Sequence, residues 1–288
     1  MMSSRSSEYH IDRMLVTFIN NGLFGQLNQK EELPEGGRYR QGATGDAVSV
    51  KSAVDFIVTS DTDYVYKENL SAEQIKQHLC DIRNKIDQSP QTYDGLMVII
   101  SSHGSTDVIL GSDERPINIH DHIINPFHNG QYEGLRGKIK IFVSNACRGE
   151  EGRSARVYDS SLVTDIMVDD PLNVISKVQT GTSFHTKGDY VVIYSAAPNS
   201  VSVRNPEYGS PLLRHFFGEI QYVAKNKMLF QTSLREIFEA MRNRYTEEES
   251  ESLPGIEEYL RHKIYLPSTS STASDTSMST AGKLLLMI

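Results

Sequence analysis

One cysteine and one histidine stand in surroundings that could support nucleophilic chemistry. Cys147 lies in the segment Asn-Ala-Cys-Arg-Gly, and His103 lies 44 residues upstream in Ser-His-Gly. A thiol with an ordinary pKa of about 8.5 is mostly protonated at neutral pH, and a nearby imidazole can convert it to the nucleophilic thiolate. The imidazole could also protonate a leaving amine, which cleavage of a peptide bond requires. Because Gly104 and Gly149 let backbone approach a substrate closely, N–H groups there could hold a developing oxyanion.

Each of these residues taken alone has a plain structural interpretation. A buried cysteine that ends a strand and a histidine in a loop are both common, so Cys147 and His103 carry weight only in combination. The second cysteine, Cys80, lies next to the apolar stripe of a predicted helix, and we expect it to pack. Two cysteines in 288 residues exclude a disulfide framework and favour a reducing compartment.

Short apolar runs precede the candidate residues. Residues 96–100, 139–143 and 190–194 are rich in Val and Ile and apolar on both faces, and residues 14–19 form a fourth run. This pattern is typical of buried strands in a mostly parallel sheet. The candidate histidine and cysteine follow the first two runs, at the carboxyl ends of strands where open α/β sheets bind their ligands.

Segments with helical spacing separate the predicted strands. One begins at Ser71, a predicted N-cap. Its apolar face carries Ile75, Leu79, Ile82 and Ile86. Two later helices are predicted over 211–225 and 233–244. The alternation predicts an α/β fold, with a mostly parallel central sheet of about six strands and helices on both faces, a three-layer sandwich.

The composition narrows the function classes. Apolar residues make up 38% and charged residues 23%, as in an ordinary soluble domain, and the net charge of -8 argues against a nucleic-acid partner. The polar first ten residues lack an apolar core, and no stretch approaches the ~18 apolar residues of a membrane span. We therefore expect no membrane association and a cytoplasmic location.

The motifs around Cys147 and His103 resemble the caspase family. That family's signature is Gln-Ala-Cys-[Arg/Gln/Gly]-Gly with a histidine about 50 residues upstream. The resemblance runs from residue 13 to residue 266. Four further segments are similar to family segments: 13–21 to the first strand, 40–46 and 194–205 to the two arginine-bearing segments, and 254–266 to the terminal strand.

The resemblance implies roles for individual residues. Cys147 would be the nucleophile of an aspartate-specific cysteine endopeptidase and His103 its catalytic histidine. The backbone N–H groups of Gly104 and Cys147 would form the oxyanion hole. The reaction would proceed through an acyl-enzyme, with no cofactor.

A substrate pocket is implied in the same way. Arg40, Asn145 and Arg204 would line the S1 pocket, with Ser202 also contacting substrate. Two guanidinium groups directed at one carboxylate give charge-assisted, directional hydrogen bonds, so the pocket should require Asp at P1. Asn145 replaces the family's usual glutamine, which makes the amide about one methylene shorter and leaves its reach to P1 dependent on a water.

The resemblance also implies an organisation and a set of partners. The expected segments are an N-terminal extension 1–10, a large subunit 11–158, a linker 159–189, a small subunit 190–266 and a disordered Ser/Thr-rich tail 267–288. The linker would be cut after Asp159 or Asp165, activating a zymogen. The partners would be protein substrates cleaved after Asp in apoptosis or a related cascade, and a second copy joined through the strand 254–266.

Three alternatives compete with this interpretation. A weakly active or inactive homologue could regulate another caspase by heterodimerisation. A metacaspase or paracaspase would need carboxylates in S1, where Arg40 and Arg204 stand. A metal site could be suspected at His120, His122 and His128, but their loop lacks an i, i+4 face and a cysteine partner, so we predict surface histidines and no metal.

Overall fold

The structure is a computed structural model that describes residues 7–24, 38–89, 92–149 and 189–268. Its strands are β1 (Ser7–His10), β2 (Met14–Asn20), β3 (Leu23–Phe24), β4 (Arg38–Tyr39), β5 (Tyr64–Glu68), β6 (Gly95–Ser101), β7 (Gly104–Ser105), β8 (Val108–Leu110), β9 (Pro116–Asn118), β10 (Ile139–Asn145), β11 (Tyr190–Tyr194), β12 (Gly255–Tyr259) and β13 (His262–Tyr265). Its α-helices are α1 (Ala43–Val54), α2 (Ala72–Gln88), α3 (Pro211–Lys225) and α4 (Leu234–Arg242).

A six-stranded sheet forms the centre of the described residues, in the order β12-β11-β10-β6-β2-β5. The pairings from β5 to β11 are parallel, and β12 is antiparallel to β11. The four strands predicted from apolar runs are confirmed as β2, β6, β10 and β11. Every residue in these four strands is buried, which explains why each is a nearly continuous apolar run in the sequence.

Helices cover both faces of the sheet, as predicted. Alternate residues of β2 point to opposite sides, so Val16 and Phe18 pack with α1, α3 and α4, whereas Leu15 and Ile19 pack with α2. The result is two hydrophobic cores separated by the sheet, a three-layer α/β sandwich. Within the described residues, no helix combines the length and the hydrophobicity needed to cross a bilayer.

Two helix starts follow a sequence signal. The Ser71 side chain accepts a hydrogen bond from the Gln74 N–H, and the Gln74 side chain accepts one from the Ser71 N–H. Ser233 and Glu236 form the same reciprocal pair at the start of α4. These capping boxes satisfy backbone donors that the first turn leaves unpaired, which confirms Ser71 as an N-cap.

The packing role expected for Cys80 is wrong, because its side chain is exposed. The buried face of α2 carries Leu79 and Ile82, and Cys80 is one residue past Leu79. Successive residues of an α-helix are separated by about 100°, so this single step takes the thiol out of the buried face.

The single terminal strand expected over 254–266 is two strands. β12 lies on the edge of the central sheet, whereas β13 leaves that sheet and pairs in parallel with β1. Arg261 lies at the bend between them, and its guanidinium donates to both carboxylate oxygens of Asp189, at 3.1 and 2.6 Å. This long-range ion pair, 72 residues apart in sequence, holds the chain where it turns away from β11.

The expectation of surface histidines is wrong for His128. Its side chain is 2% exposed, and its ring lies 5.1 Å from the ring of Tyr190. His120 is half-buried, with Nε2 3.8 Å from the Asp107 carboxylate. Among the described residues, no group of three His, Cys, Asp or Glu side chains is placed to hold a metal ion.

Candidate active site

The strand register places Cys147 and His103 on adjacent loops at the carboxyl ends of β10 and β6. β6 and β10 are parallel neighbours, and Ser101 is the register partner of Asn145 at their carboxyl ends. His103 and Cys147 each follow two residues later. The Ser102 N–H donates to the Asn145 carbonyl at 3.1 Å, so the two chains stay paired as they leave the sheet. The structure therefore brings both predicted residues to one edge, on adjacent loops.

His103 is fixed by its backbone and by an aromatic neighbour. Its carbonyl accepts a hydrogen bond from the Leu110 N–H at 2.8 Å, and its ring centroid lies 4.5 Å from that of Phe24. The next residue must be glycine, because a Cβ on Gly104 would lie 2.4 Å from the Val108 carbonyl oxygen. Phe24 is a site residue that the sequence analysis missed.

The loop that carries Cys147 is held by the chain that follows β11. The Arg148 N–H donates to the Ser200 carbonyl, and the Asn199 N–H donates to the Arg148 carbonyl. The Ser195 hydroxyl donates to the Ala146 carbonyl at 2.9 Å. Backbone atoms on both sides of the cysteine are thus fixed, which presets its position.

Cys147 as a whole residue is partly exposed, but its sulfur atom is surrounded by protein, and this burial governs the pKa of the thiol. Burial raises the pKa of the Cys147 thiol above its ordinary value, and this effect outweighs the opposing influence of the Ser202 N–H and the positive charges of Arg204 and Arg40. The Ser202 N–H donates to Sγ at 3.4 Å. The resting sulfur is therefore a protonated thiol at neutral pH, which needs a base to become a nucleophile.

Arg40 is buried at the same sheet edge. Its Nε donates to the Asn21 carbonyl at 2.7 Å, and its Nη2 donates to the Asn20 side chain at 2.6 Å. Its Nη1 donates to the Ser101 hydroxyl at 2.8 Å. Burial and the neighbouring charge of Arg204 lower the pKa of Arg40 to about 9, so the guanidinium keeps its charge at neutral pH.

A carboxylate that the sequence analysis did not assign joins the two arginines. Asp46 Oδ2 accepts hydrogen bonds from Arg204 Nη1 at 2.6 Å and from Arg40 Nη1 at 3.4 Å. Asp46 is fully buried on the face of α1 that also buries Val50 and Ala53. A carboxylate on an apolar helical stripe is the sequence signal that could have identified it, because a buried charge needs a charged partner.

The structure therefore assembles a cysteine thiol, an imidazole and two guanidiniums at the carboxyl ends of β2, β6, β10 and β11. A caspase domain family model matches residues 13–271 of this chain, which is most of its length. The chain belongs to the caspase family. This confirms the resemblance inferred from the motifs, and the observed sandwich agrees with an α/β caspase fold.

Individual caspases match the chain at moderate identity. It is 27% identical to caspase-12 of Canis lupus familiaris over 205 residues, covering 70% of this chain and 51% of that protein. It is 24% identical to caspase-14 of Mus musculus over 204 residues, covering 69% and 78% respectively. It is 32% identical to caspase-3 of Mesocricetus auratus over 145 residues, covering 50% and 46%. The chain thus spans about half the length of several of the curated caspases it matches.

Asn145, the departure from the usual caspase glutamine, is buried at the end of β10. Its Nδ2 donates to the Ser101 hydroxyl at 2.6 Å, while its buried Oδ1 has no hydrogen-bond partner among the described residues. The short amide is therefore turned toward β6 and engaged there. A buried acceptor without a partner is costly, so a polar group that reached Oδ1 would stabilise this position.

Two acidic residues of β12 have partners within the chain. Glu257 lies 3.8 Å from Arg148, whose guanidinium also stacks 3.8 Å from the Tyr194 ring centroid. Glu258 lies 3.2 Å from Arg235 of α4. Their presence on a predicted dimerisation strand thus has an internal explanation.

The predicted processing residues Asp159 and Asp165 lie outside the described residues, as does most of the predicted linker. The same holds for residues 269–288 of the predicted tail and for the first six residues. The proposed subunit boundaries therefore stay predictions.

Proposed function

We propose that this caspase-family chain is an aspartate-specific cysteine endopeptidase. The observation that carries the proposal is the pairing of Arg40 and Arg204 around a single internal carboxylate, at the sheet edge where Cys147 and His103 follow adjacent strands. A surplus positive charge beside a nucleophile fits a substrate whose side chain is a carboxylate. We further place the activity in the cytoplasm, in apoptosis or a related proteolytic cascade.

The proposed chemistry begins with proton transfer from the Cys147 thiol to the His103 imidazole. The thiolate sulfur attacks the carbonyl carbon of the peptide bond, and the N–H groups of Gly104 and Cys147 hold the negatively charged oxygen. His103 returns the proton to the departing amine, which leaves a thioester. Attack by water, with His103 taking its proton, then releases the acid product and the free thiol.

The raised pKa of Cys147 gives His103 a defined task in this scheme. Since a raised pKa favours the protonated thiol, we assign the imidazole the role of base during attack. The Ser202 N–H that bonds to the sulfur would have to move as substrate enters, since Ser202 is expected to contact substrate.

The decisive experiment is hydrolysis of four reporter tetrapeptides that differ only at P1, with Asp, Asn, Glu or Arg. We expect turnover of the Asp reporter by the wild-type chain and none by Cys147→Ala. A matched control is Cys80→Ala, which removes the exposed thiol and should leave turnover unchanged. Equal turnover by wild type and Cys147→Ala, or a preference for Arg, would refute the proposal.

A regulator that pairs with another caspase is a second candidate, favoured by two observations. The Ser202 N–H caps the Cys147 sulfur, and the amide of Asn145 is short and bonded to Ser101. A folded sample that binds a partner caspase and changes its activity while hydrolysing none of the four reporters would establish this alternative.

We also propose homodimerisation through the edge strand β12 and cleavage of the linker after Asp159 or Asp165. In favour of the dimer, β12 is the last strand of the sheet, and among the described residues β11 is its one strand neighbour, so its other edge can pair with a second copy. Sedimentation of the intact chain tests the dimer.

Intact-mass analysis of wild type beside Cys147→Ala tests the cut after Asp159 or Asp165. A single identical chain in both samples would rule out self-processing.

A further inference from the structure

Asp46 connects parts of the chain that lie far apart in sequence. Its Oδ2 accepts hydrogen bonds from Arg204 of the chain after β11, from Arg40 before α1, and from the Ser101 hydroxyl at 2.9 Å. Its Oδ1 accepts one from the Ser210 N–H at 2.7 Å, which is the N-cap of α3. Both oxygens of one buried carboxylate are therefore used to hold the two arginine-bearing segments together.

The backbone around Asp46 is packed so closely that this arrangement has little freedom. A Cβ on Gly209 would lie 2.4 Å from Asp46 Oδ1, and a Cβ on Gly42 would lie 2.4 Å from the Asn205 carbonyl oxygen. Both glycines also have positive φ values, of 81° and 79°, which other residues rarely adopt. The start of α1 and the chain at 205–209 thus form one close-fitted unit around the carboxylate.

The charges in this cluster do not balance. Arg40 and Arg204 carry one positive charge each, and Asp46 supplies one negative charge. Within the described residues, the ion pairs of the two guanidiniums involve no second carboxylate. Because buried charges are costly unless paired, the cluster is complete only when one more anionic group arrives.

We propose that Asp46 is a specificity-determining positioning residue of the S1 pocket. It holds the guanidiniums of Arg40 and Arg204 next to each other, an arrangement we call the arginine fork, and leaves a single positive charge for the P1 carboxylate. This inference rests on the proposed assignment of the two arginines to S1. Asp46 does not touch the reacting atoms. It acts through the arginines, and it explains how a pocket with two guanidiniums can be folded before substrate is bound.

Removal of the Asp46 charge has a defined physical consequence. Two guanidiniums would face each other in a buried site without a counterion, and like charges repel strongly where water is excluded. Arg204 is the more exposed of the pair, at 11% against 4% for Arg40, so it is the one that can turn toward solvent. The fork would then open, and a substrate would have to restore it.

The test compares Asp46→Asn with Asp63→Asn, each in a Cys147→Ala background so that peptide binding is measured without cleavage. Asp63 is an equally buried aspartate paired with Arg13, away from the candidate site. The probes are acetylated tetrapeptide amides that end in Asp or Asn, and the readout is calorimetric affinity. Asparagine has almost the shape of aspartate and can still accept from Ser210, so the change removes mainly charge.

We expect Asp46→Asn to weaken binding of the Asp peptide by at least about tenfold and to reduce its advantage over the Asn peptide. Asp63→Asn should change either affinity by less than about twofold. With the cysteine intact, Asp46→Asn should raise KM for the Asp reporter far more than it lowers kcat, because bound substrate itself brings the arginines together.

Three results would overturn the inference: unchanged or tighter binding of the Asp peptide by Asp46→Asn, an equal loss in Asp63→Asn, or no preference for Asp in the parent protein. Selective Asp binding by the parent without turnover by the intact-cysteine chain would refute the proposed protease activity alone. If Asp46→Asn does not fold, Arg204→Lys replaces it, since one ammonium cannot reproduce the fork; parent-like affinity in that variant would overturn the inference.

Discussion

Two buried arginine–aspartate clusters lie at opposite ends of the strands of the central sheet. At the amino ends of the strands, Arg13 donates to both oxygens of Asp63, at 3.0 and 2.8 Å. The Tyr93 and Thr59 hydroxyls complete the shell of Asp63 at 2.6 and 3.0 Å. Burial raises the pKa of Asp63, but the hydrogen bonds from Arg13, Tyr93 and Thr59 outweigh it, so that pKa lies below the ordinary value.

At the carboxyl ends of the strands, Asp46 faces two arginines. Burial again raises the pKa of Asp46, and the charges of Arg204 and Arg40 together with the Ser210 N–H bring it below the ordinary value. Both aspartates are therefore ionised, and both are fully buried. What differs is the remaining charge: the first cluster is neutral, whereas the second keeps one positive charge. The remaining positive charge of the second cluster is what supports the proposed S1 pocket there, and the neutral cluster offers no such charge.

Removal of one arginine of the unbalanced cluster should have the largest effect. We expect Arg204→Ala to lower kcat/KM for an Asp reporter by about 100-fold, because loss of a partner from a buried charge pair costs about 2–5 kcal/mol. Arg13→Ala is the control, with an activity change of less than about threefold in protein that remains folded. Similar losses in the two variants would mean that the clusters do not differ in function.

The balanced cluster should instead respond in stability. We expect Asp63→Asn to lower the free energy of unfolding by about 3 kcal/mol, since it removes the carboxylate charge from a buried ion pair with Arg13. Urea denaturation monitored by circular dichroism measures the change. Asp55→Asn is the control, because its pair with Lys51 is half-exposed and should contribute at most about 0.5 kcal/mol. A loss for Asp63→Asn no greater than that of the control would contradict its assigned role.

The surplus charge should also act on the neighbouring thiol. Because burial raises the pKa of Cys147 above its ordinary value, its alkylation by iodoacetamide should quicken steadily with pH between about pH 7 and about pH 9. Arg204→Ala should slow that reaction by about threefold, since the charge of Arg204 lowers the pKa. Mass mapping of exposed Cys80 in the same samples gives the reference. A Cys147 rate independent of pH in this range would show a preformed thiolate.

The smallest effect is expected from lengthening the amide side chain of Asn145. Asn145→Gln should lower KM for the Asp reporter by about threefold with kcat unchanged, because the longer amide can reach the P1 carboxylate without a bridging water. Steady-state kinetics measure the change, and Asn129→Gln provides an amide control away from the site, since Asn129 bonds to Lys140 and Asp189 at the amino ends of β10 and β11. A higher KM in Asn145→Gln would indicate that the buried site cannot take the extra methylene.

The sequence predicted the parts of the fold that depend on local pattern. β2, β6, β10 and β11 are buried on both faces, so their apolar runs are visible without any knowledge of neighbours. The capping box at Ser71 is local in the same sense. The positions of His103 and Cys147 followed from strand ends, since parallel strands place their carboxyl ends on one edge.

What the sequence did not predict depends on contacts between distant residues. Asp46 and Arg204 are 158 residues apart, and no local pattern pairs them. The division of the terminal strand at Arg261 depends on Asp189, which lies before β11. The prediction that Cys80 packs was wrong for a different reason. Neighbouring residues of a helix point in different directions, so one position can be buried and the next exposed.

The parallel pairing of β1 with β13 has a consequence for the chain as a whole. Ser7 is the register partner of His262, and His10 that of Tyr265, so the two ends of the described chain run side by side. Residues 7–149 and residues 189–268 are therefore joined at two separate places, by the pairing of β1 with β13 and by the pairing of β10 with β11. Separation of these two segments would have to break both pairings.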